Sequence, residues 1–589
     1  MDPLIISELS KLDPTIPFRA TTSHTHHTWA KTFYSRPELY IQPHSVDEIQ
    51  KIVTLARRCR RRLVTVGSAH SPSDLTCTSA WTLNLDNFNR VLDIDRETGI
   101  VTVESGIRLR ELRKELENNG LMLRNLGSID DQSVAGAIST GTHGSSVRHG
   151  LLSESIVSMS LMLSNGRVVR CSETVNVSLF KAALVSLGAL GVITEITLRA
   201  VPAFKVAWHQ SLWSLGDVLE EWDSDLWTSS EFVRVWWLPY LKRAIVWRAD
   251  KTSLPIKTPP TDFFGGSLGY HVYHNLLYLA NYIPKILPWV EWFVFGMQYG
   301  FKPGNRVTEA VEPGHQALLL NCLYSQFVNE WALPLEKGPE AIGRLSAWLH
   351  GDMETARIPF SSKGLWVHCP VEVRVSDTSL TKSPRPFLDP TCPTGPTLFL
   401  NATLYRPYHR DPPCTERYYQ AFEWLMRDMG ARPHWAKNFT QDTGRSELHE
   451  MYGSDMEEWL RVRDESDVDG MFVGEWHRRN LLPDPTPSEA RDGEISVLPL
   501  EEREKARKLF RQAGSGDGVE WIGNRDWLTS SSSAKTTLPA VRTGNAASEK
   551  GWTNLSDSSP PMTASSEESF DRLAHGEAST VLPERVVGT

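Results

Sequence analysis

Two periodicities alternate along the first part of the chain, from Leu39 to Pro202. Short runs with the alternating pattern of β-strands are followed by runs with the spacing of amphipathic helices. In IQPHSVDEIQKIVTLARRCR, Ser45 precedes the helical run and Glu48 follows three residues later, which predicts a helix start. The pattern predicts an α/β or α+β domain.

The next region, from Phe204 to Pro483, has longer strand-like runs such as FVRVWWLPYLKRAIVWRA, GLWVHCPVEVRVS and PTLFLNATLYRP, and helical runs such as ERYYQAFEWLMRDMG. This mixture predicts a second α+β domain that contains a substantial sheet. The rest of the chain is rich in Ser, Thr and Pro, which cannot bury enough apolar surface to fold. We therefore expect an N-terminal segment at residues 1–35, domains at 36–203 and 204–483, and a largely disordered tail at 484–589.

The overall composition narrows the classes of function. The 589 residues carry a net charge of −9, so we expect no broad basic surface and no nucleic-acid partner. The seven cysteines form no C-x-x-C pair, and His24, His26 and His27 lack the accompanying ligands of a metal site. We therefore expect no metal and interpret these histidines as solvated. The N-terminus also lacks the apolar core of a secretory signal peptide.

The segment at residues 269–300 is rich in aromatic residues, but Pro284, Lys285, Pro288 and Glu291 interrupt it. A membrane-spanning helix needs about 20 mostly apolar residues without such interruptions. The segment therefore fits either a membrane interface or a buried part of the core, because amphipathic aromatic side chains serve both purposes.

A first candidate for chemistry is the loop VGSAHSPSD, in which a turn of small residues carries His70 near its tip. Gly67 allows the backbone to bend and to approach a ligand, while Ser68 and Ser71 offer hydroxyl and N–H groups to phosphate oxygens. The alternative is a polar loop with a solvated or hydrogen-bonded histidine. Taken alone, the loop favours this alternative.

A second candidate is GSIDDQSVAGAISTGTHGSS at residues 127–146, which has no charged residue between Asp131 and Arg148. Such a run indicates backbone close to a bulky group, with N–H groups available to an anionic pyrophosphate. An ordinary Gly-rich turn is the alternative. The G-x-G-x-x-G fingerprint is absent from any junction between a strand and a helix, which disfavours a Rossmann NAD site.

Two pairs of polar residues in the second region are further candidates. Glu372 and Arg374 are two positions apart in an alternating run, so they lie on one face of the predicted strand. They form either a surface ion pair or part of a site. His434 and Lys437 lie within four residues of each other, and the local sequence alone favours a structural role for them.

Together these motifs resemble the aldonolactone oxidases of the vanillyl-alcohol oxidase flavoprotein superfamily, and most closely the fungal D-arabinono-1,4-lactone oxidases. The resemblance extends from Trp29 to Leu482. Eight motifs follow the family's order, namely RPELY, VGSAHSPSD, GSIDDQSVAGAISTGTHGSS, LGALGVITEITL, VRVWWLPY, VEVR, RPHWAK and DVDGMFVGEW. The resemblance implies a two-domain α+β fold with an N-terminal FAD-binding domain and a C-terminal substrate domain, which contains an antiparallel sheet and helices.

The resemblance also implies FAD as the cofactor, bonded covalently through its 8α carbon to the ring of His70. The VGSAHS loop and two later segments of the N-terminal domain are then expected to enclose the FAD. The expected FAD-binding residues are His70, Val66, Gly67, Ser68, Ala69, Ser71, Gly127, Ser128, Ser133, Gly136, Ser139, Thr142, His143, Gly144, Gly191 and Ile193.

Relatives in this family oxidise a hydroxyl group of a sugar lactone by transferring hydride to the flavin. The resemblance implies that Glu372 holds or deprotonates this hydroxyl and that Arg374 stabilises the reduced flavin. Lys437 and His434 are then expected to bind the lactone oxygens. The expected reaction is oxidation of D-arabinono-1,4-lactone by O2 to the dehydro-lactone and H2O2. Oxidation of L-gulono- or L-galactono-1,4-lactone, oxidation of an alditol or other polyol, and a non-catalytic flavin-fold scaffold are alternatives.

The oxidant and the location are also implied by the resemblance. Plant galactonolactone dehydrogenases resemble this chain but have alanine at the position of Gly127, where oxidases keep a glycine that admits O2 to the flavin. Fungal members associate with mitochondrial membranes and animal relatives with those of the endoplasmic reticulum. We therefore expect peripheral association with a membrane, most readily a mitochondrial one, and the oligomeric state is left open.

Overall fold

The computed structural model describes residues 1–262, 264–320, 323–368, 370–440 and 443–482, together with the backbone of Val519–Trp521. These residues form sheets of two, three, four, five and eight strands. The α-helices are α1 (Pro3–Leu9), α2 (Val46–Cys59), α3 (Leu109–Asn118), α4 (Val134–Ser139), α5 (Val177–Ala183), α6 (Leu215–Glu220), α7 (Ser267–Ala280), α8 (Leu287–Tyr299), α9 (Gly314–Leu318), α10 (Gly338–Leu349), α11 (Met353–Ala356), α12 (Thr415–Asp428), α13 (Arg445–Tyr452), α14 (Ser454–Ser466) and α15 (Glu475–Asn480). Short 3-10 helices lie at Asp74–Thr76, Leu152–Ser155, Pro284–Ile286, Leu335–Lys337 and Pro407–His409.

The strands of the first two hundred residues form mainly a four-stranded and a five-stranded sheet. These strands are β1 (Ala20–Thr21), β2 (His26–His27), β3 (Phe33–Ser35), β4 (Leu39–Ile41), β5 (Leu63–Val66), β6 (Trp81–Asn84), β7 (Val91–Asp95), β8 (Ile100–Glu104), β9 (Leu121–Met122), β10 (Ile156–Met162), β11 (Val168–Ser172), β12 (Val192–Arg199) and β13 (Val201–Pro202). The four-stranded sheet has the order β1-β4-β6-β5, and its last three strands are parallel. The five-stranded sheet is antiparallel, in the order β11-β10-β12-β8-β7.

Helix α2 begins where its sequence predicts. The Oγ of Ser45 accepts a hydrogen bond from the backbone N–H of Glu48, which satisfies one of the free donors of the first turn. The helix packs its apolar side against the four-stranded sheet in a core that includes Ile49 and Leu55. Arg60 ends the helix in the left-handed conformation, with φ at 54°.

Eight of the remaining strands form the eight-stranded antiparallel sheet, and the last one pairs with β3. They are β14 (Lys205–Ser214), β15 (Phe232–Leu238), β16 (Arg243–Thr252), β17 (Val307–Pro313), β18 (Gln326–Pro334), β19 (Val371–Ser376), β20 (Thr397–Tyr405), β21 (Arg432–Pro433) and β22 (Val519–Trp521). The eight-stranded order is β17-β14-β16-β15-β19-β20-β18-β21, and β22 pairs with β3. Beyond Val519–Trp521, the predicted disordered tail lies outside the described residues. The domain boundary at residues 203 and 204 stays a prediction.

The two faces of the eight-stranded sheet have different surroundings. Val371, Val373 and Val375 of β19 belong to an apolar core that includes side chains of α10 and α12. Burial of each such side chain contributes roughly 1.5–3 kcal/mol to stability. The intervening residues of β19 lie on the other face, toward the N-terminal domain, and Ser376 forms a β-bridge there with Ser146.

The strand register aligns four side chains across this second face. Glu372 lies opposite Trp236 of β15 and Asn401 of β20, and Asn401 lies opposite Glu330 of β18. Because paired residues in neighbouring strands share a face, the register brings the carboxylates of two strands to either side of one asparagine.

The last described helix, α15, returns to the N-terminal domain. The Nη2 of Arg479 donates to both carboxylate oxygens of Asp74, at 2.9 and 3.0 Å. The Nε2 of His477 donates to the carbonyl oxygen of Leu187 at 2.8 Å, while Nδ1 accepts from the N–H of Gly474. The end of the second domain is therefore fastened to residues from the first part of the chain.

The N-terminal histidines are packed, so the expectation of a solvated segment is wrong. His26 is buried in β2, with its Nε2 3.0 Å from the Oγ1 of Thr76. Burial lowers the pKa of His26 to about 3, which keeps the ring neutral. His24 stacks on the ring of Tyr40 with the ring centroids 3.6 Å apart.

The close approach of backbone at Gly106 gives a test of the packing in the N-terminal domain. A methyl group there would overlap the carbonyl oxygen of Leu85 and lie 2.6 Å from that of Phe88. Gly106→Ala should therefore destabilise the protein by about 1–3 kcal/mol, measured by thermal unfolding. Gly343→Ala is the matched control, because nothing lies within 4 Å of its added methyl and alanine favours the helix. Equal unfolding temperatures for the two variants would contradict this account.

Candidate active site

An open cleft lies between the four-stranded sheet, helix α4 and the segment before β12, and the space within it, including the part open to solvent, is about 880 Å³. Most of the residues expected to bind FAD line it, namely Gly67, Ser68, Ala69, His70, Ser71, Ser133, Gly136, Ser139, Gly191 and Ile193.

The other expected residues lie outside this lining. Val66 is the last residue of β5 and is buried directly before the loop. The rest border a second, polar cluster that is described below, and these are Gly127, Ser128, Thr142, His143 and Gly144.

The cleft also has lining residues that the sequence did not single out. Ser186 and Leu187 come from the segment before β12, and Phe472 and His477 come from near the C-terminal end of the second domain. Leu187 has a φ of 52°, in the left-handed region, and this conformation cannot be predicted from a leucine in the sequence. His477 directly follows the motif DVDGMFVGEW, so this motif was the feature of the sequence from which its place in the cleft could have been predicted.

Gly67 allows the loop after β5 to lie against α4. A methyl group at this position would overlap the Oγ of Ser133. The same Oγ caps α4 by accepting the N–H of Gly136 at 3.3 Å. Glycine is therefore required here by the close approach of the loop to the helix cap.

His70 is held in the cleft by its neighbours. The residue before it, Ala69, has a φ of 53°, and the N–H of Trp29 donates to the Ala69 carbonyl at 2.8 Å. The Trp29 ring stacks on the His70 ring with centroids 5.2 Å apart. Burial lowers the pKa of His70 to about 4, and its Nδ1 is buried with no hydrogen-bond partner among the described residues. The His70 ring is therefore half-buried in the wall of the cleft.

A polar cluster lies on the face of the eight-stranded sheet that turns toward the N-terminal domain. The Nη2 of Arg374 donates to the Oε1 of Glu330 at 2.6 Å, and its Nη1 donates to the Oγ of Ser128 at 3.4 Å. The Nε of Arg374 lies 3.3 Å from the Oε2 of Glu372. The prediction that Glu372 and Arg374 share a face is confirmed, and both side chains are buried rather than at the surface.

Glu330 of β18 is a central member of this cluster, and the sequence did not single it out. Its side chain is fully buried, 3.6 Å from the Nζ of Lys437 and 3.3 Å from the Nε2 of His143. The Nδ2 of Asn401 donates to it at 3.4 Å. Burial by itself raises its pKa, but Arg374 and Lys437 outweigh this effect and hold the pKa of Glu330 well below its ordinary value. Glu330 is therefore ionised.

Glu372 differs from Glu330 in its partners. Both of its carboxylate oxygens are buried, and no hydrogen bond from a described residue reaches either of them. Burial raises the pKa of Glu372; Arg374 and Arg234 oppose the shift, and Glu330 adds to it. A buried carboxylate without such bonds costs stability, and perturbed groups of this kind concentrate at functional sites.

Two neutral histidines complete the cluster. The His143 ring stacks on Phe399 with centroids 3.6 Å apart, and its Nδ1 donates to the carbonyl of Gly144 at 2.9 Å. The Nδ1 of His434 accepts the N–H of Ala436 at 3.1 Å. Burial lowers the pKa of His143 to about 4 and that of His434 well below its ordinary value.

Ligand atoms of His143, Glu330 and His434 lie within 4.8 Å of one another. This spacing suits a cation, but Arg374 and Lys437 already neutralise Glu330 and would repel one. The charges therefore favour an oxygen-rich ligand over a metal ion. The expected absence of a metal stays a prediction.

The polar cluster and the cleft adjoin each other through the segment that carries Lys437. Burial is the main cause of the low pKa of His70, and the charge of Lys437 contributes to it. The Nδ2 of Asn438, the next residue, donates to the carbonyl of Pro72 at 3.1 Å. The loop with His70 and the cluster with Glu372 therefore border one composite site.

The aromatic segment at residues 269–300 forms a hairpin of α7 and α8. Among the described residues, no helix combines the length and apolar character needed to cross a bilayer. The inner side of the hairpin packs into the core through residues such as Leu277 and Val294. The segment is thus partly buried in the core, as one alternative predicted. Its outer side exposes large apolar side chains, namely Leu268, Leu279, Tyr282, Ile283, Trp289, Trp292 and Met297.

Comparison with known proteins identifies the class. A family model described as an FAD binding domain matches residues 37–172. The solved cholesterol oxidase of Brevibacterium sterolicum has a TM-score of 0.65 at 15% identity, over 79% of this chain and 98% of that chain. A solvent-stable cholesterol oxidase has a TM-score of 0.61 at the same identity, over 78% and 99%. The fold is therefore of the vanillyl-alcohol oxidase type, an FAD-binding domain followed by a substrate domain, and the predicted α+β class is confirmed.

Sequence relatives define the family more closely. A model described as D-arabinono-1,4-lactone oxidase matches residues 196–480. The D-arabinono-1,4-lactone oxidase of Yarrowia lipolytica is 40% identical over 78% of this chain and 98% of its own, and that of Saccharomyces cerevisiae is 35% identical over 80% and 99%. A Neurospora crassa protein provisionally given the same name is 55% identical over 88% and 95%. This chain belongs to the D-arabinono-1,4-lactone oxidase family, as its eight motifs predicted.

Proposed function

We propose that this chain is an FAD-dependent oxidase of a sugar 1,4-lactone, with D-arabinono-1,4-lactone as its preferred substrate and O2 as the electron acceptor. The products are the dehydro-lactone and H2O2. Membership of the family supports this reaction class. The observation that carries the proposal is the buried cluster of Glu372, Arg374 and Glu330 beside the cleft.

The side chains of the cluster have distinct roles in the proposed reaction. Bound FAD supplies the hydride acceptor. Glu372 accepts the hydroxyl proton, because burial raises its pKa and no hydrogen bond from the described residues occupies its oxygens. Arg374, which Glu330 holds, would supply positive charge to stabilise the negative charge of the reduced flavin. Lys437, whose side chain is 23% exposed, and His434 bind the lactone oxygens.

The proposed FAD linkage is a covalent bond between its 8α carbon and the ring of His70. A buried Nδ1 without a hydrogen-bond partner among the described residues supports this linkage, because it leaves a lone pair for bonding. The low pKa of His70 keeps the ring neutral, as a nucleophile requires. Trp29 restricts the ring by stacking on it. The other residues that line the cleft hold the rest of the FAD.

The proposed path of O2 passes Gly127. A methyl group at this position would lie 2.9 Å from the Cγ2 of Thr142 and 3.6 Å from the carbonyl oxygen of His143. Alanine would therefore have to displace the Thr142 side chain, whereas glycine lets the backbone lie against it. The next residue, Ser128, contacts Arg374, so this part of the backbone borders the polar cluster.

The outer side of the α7–α8 hairpin is proposed to dock on an anionic membrane surface. Trp289 and Trp292 are 50% and 42% exposed, and such rings favour the headgroup region. Lys285 and Lys302 are exposed nearby in sequence, whereas Glu291, the one acidic residue between positions 264 and 308, is buried. This local charge contrasts with the net −9 of the chain and suits anionic lipids. A mitochondrial membrane is the proposed location.

Substitution of Glu372 tests the reaction. The protein should produce H2O2 with D-arabinono-1,4-lactone faster than with L-gulono- or L-galactono-1,4-lactone or with open-chain polyols. Glu372→Gln should retain FAD but reduce the rate of anaerobic flavin reduction by about 10²-fold or more, because the amide cannot accept the proton. The control is Glu309→Gln, which alters an exposed carboxylate far along the sheet, at its edge. Unchanged reduction in Glu372→Gln would remove this residue from the mechanism.

Denaturing electrophoresis tests the linkage to FAD. The band of the loaded wild-type protein should fluoresce after denaturation, and that of His70→Ala should not, because no other bond would retain the flavin. His271→Ala changes an exposed histidine and should keep the fluorescence. A loaded wild-type protein that released all its FAD would refute the covalent bond.

Vesicle binding tests the docking surface. The triple substitution Ile283→Ser, Trp289→Ser and Trp292→Ser should reduce co-sedimentation with vesicles that contain phosphatidylserine by at least about tenfold, because it removes apolar contact area. The matched control replaces Leu92, Val168 and Val175, which are similarly exposed in the N-terminal domain, with serine. Equal binding by the two triple variants would exclude the hairpin as the docking surface.

A further inference from the structure

Glu330 and Glu372 compete for a single guanidinium group. The two carboxylates lie on strands β18 and β19, one on each side of Asn401 of β20. Arg374 donates a 2.6 Å hydrogen bond to Glu330, whereas its approach to Glu372 is 3.3 Å through Nε and forms no hydrogen bond. The strong charge-assisted contact of Arg374 therefore goes to Glu330.

The other contacts of Glu330 reinforce this arrangement. Lys437 approaches its second oxygen at 3.6 Å, and Asn401 donates to the same oxygen at 3.4 Å. His143 and His434 also face it, and burial keeps both rings neutral. Glu330 is thus the one fixed negative charge in contact with both Arg374 and Lys437 among the described residues.

We infer that Glu330 is a positioning residue for the proposed oxidation: it takes the short hydrogen bond of Arg374 and balances its charge, and so leaves Glu372 with only the longer ion pair to this guanidinium. The inference rests on the proposed function. It extends that function by assigning a role to a residue that does not itself take the proton.

The charges around Glu372 determine the direction of the effect. Arg374, Arg234 and Lys437 lower the pKa of Glu372, while burial and the negative charge of Glu330 raise it. Removal of the Glu330 charge leaves three cations facing one carboxylate, so Glu372 becomes a weaker base. A base acts in its deprotonated form, and therefore the acid limb of the reaction must move to lower pH.

A second buried carboxylate provides a control for the effect of amide substitution itself. Glu423 of α12 accepts hydrogen bonds from Asn329, Thr440 and Thr443. These donors are neutral, and none of them is a charged member of the polar cluster. Its replacement by glutamine disturbs a buried site without changing the charge next to Arg374. A merely structural effect should therefore resemble that of Glu423→Gln.

The test is the pH dependence of anaerobic flavin reduction by D-arabinono-1,4-lactone, followed by stopped-flow absorbance in FAD-loaded proteins. Glu330→Gln should move the acid limb to lower pH by about one unit and reduce the limiting rate about tenfold. Glu330→Asp keeps the charge but withdraws it from Arg374, so the limb should move in the same direction by less. Glu423→Gln should leave the position of the limb unchanged.

The possible failures are distinguishable. An acid limb at the wild-type position in Glu330→Gln overturns the inference while the proposed function stands. If that variant loads no FAD, Glu330→Asp decides in the same way, since it preserves the ionised group. A wild-type protein that no sugar lactone reduces would instead overturn the proposed function and, with it, this inference.

Discussion

The alternation of side chains along antiparallel strands places the apolar core on one face of the eight-stranded sheet and the polar cluster on the other. In β19 the valines enter the apolar core under the helices, and Glu372 and Arg374 lie between them on the other face. A slip of one residue in the register would bury both charged groups among apolar side chains and expose the valines. The packing of the core therefore fixes the relative positions of the groups in the polar cluster.

The groups that share this polar face also explain how the protein tolerates ionised side chains in its interior. An isolated buried charge is costly, but Glu330 has Arg374, Lys437 and Asn401 around it. Glu423 is stabilised differently, because its carboxyl group accepts hydrogen bonds from the neutral side chains of Asn329 and Thr440. Glu372 has neither kind of full compensation, and this contrast with the other two carboxylates is what supports the proposal that it acts as the base.

The sequence predicted those features that depend on short-range patterns. The cap at Ser45, the loop with His70 and the shared face of Glu372 and Arg374 follow from spacing within a few residues. Glu330 could not be found this way, because QFVNEWALP reads as an apolar strand with one charge. Its place in the cluster comes from pairing with β20 and from the ion pair with Arg374, and hence from contacts more than forty residues away along the chain.

The same limit applies to the cleft and to the hairpin. Trp29 stacks on His70 and His477 lines the cleft, and because both come from distant parts of the chain, local patterns could not place them beside the His70 loop. The aromatic composition of the hairpin was evident, but which rings face the core depends on how α7 and α8 pack.

The attachment of α15 to the N-terminal domain has a consequence for the order of events during synthesis. His477 and Phe472 line the same cleft as the loop that contains His70. The ribosome must therefore release some four hundred further residues after that loop before the cleft has all its walls. The FAD binding proposed for this cleft is consequently completed late in the life of the nascent chain, although the segment that matches an FAD binding domain is made first.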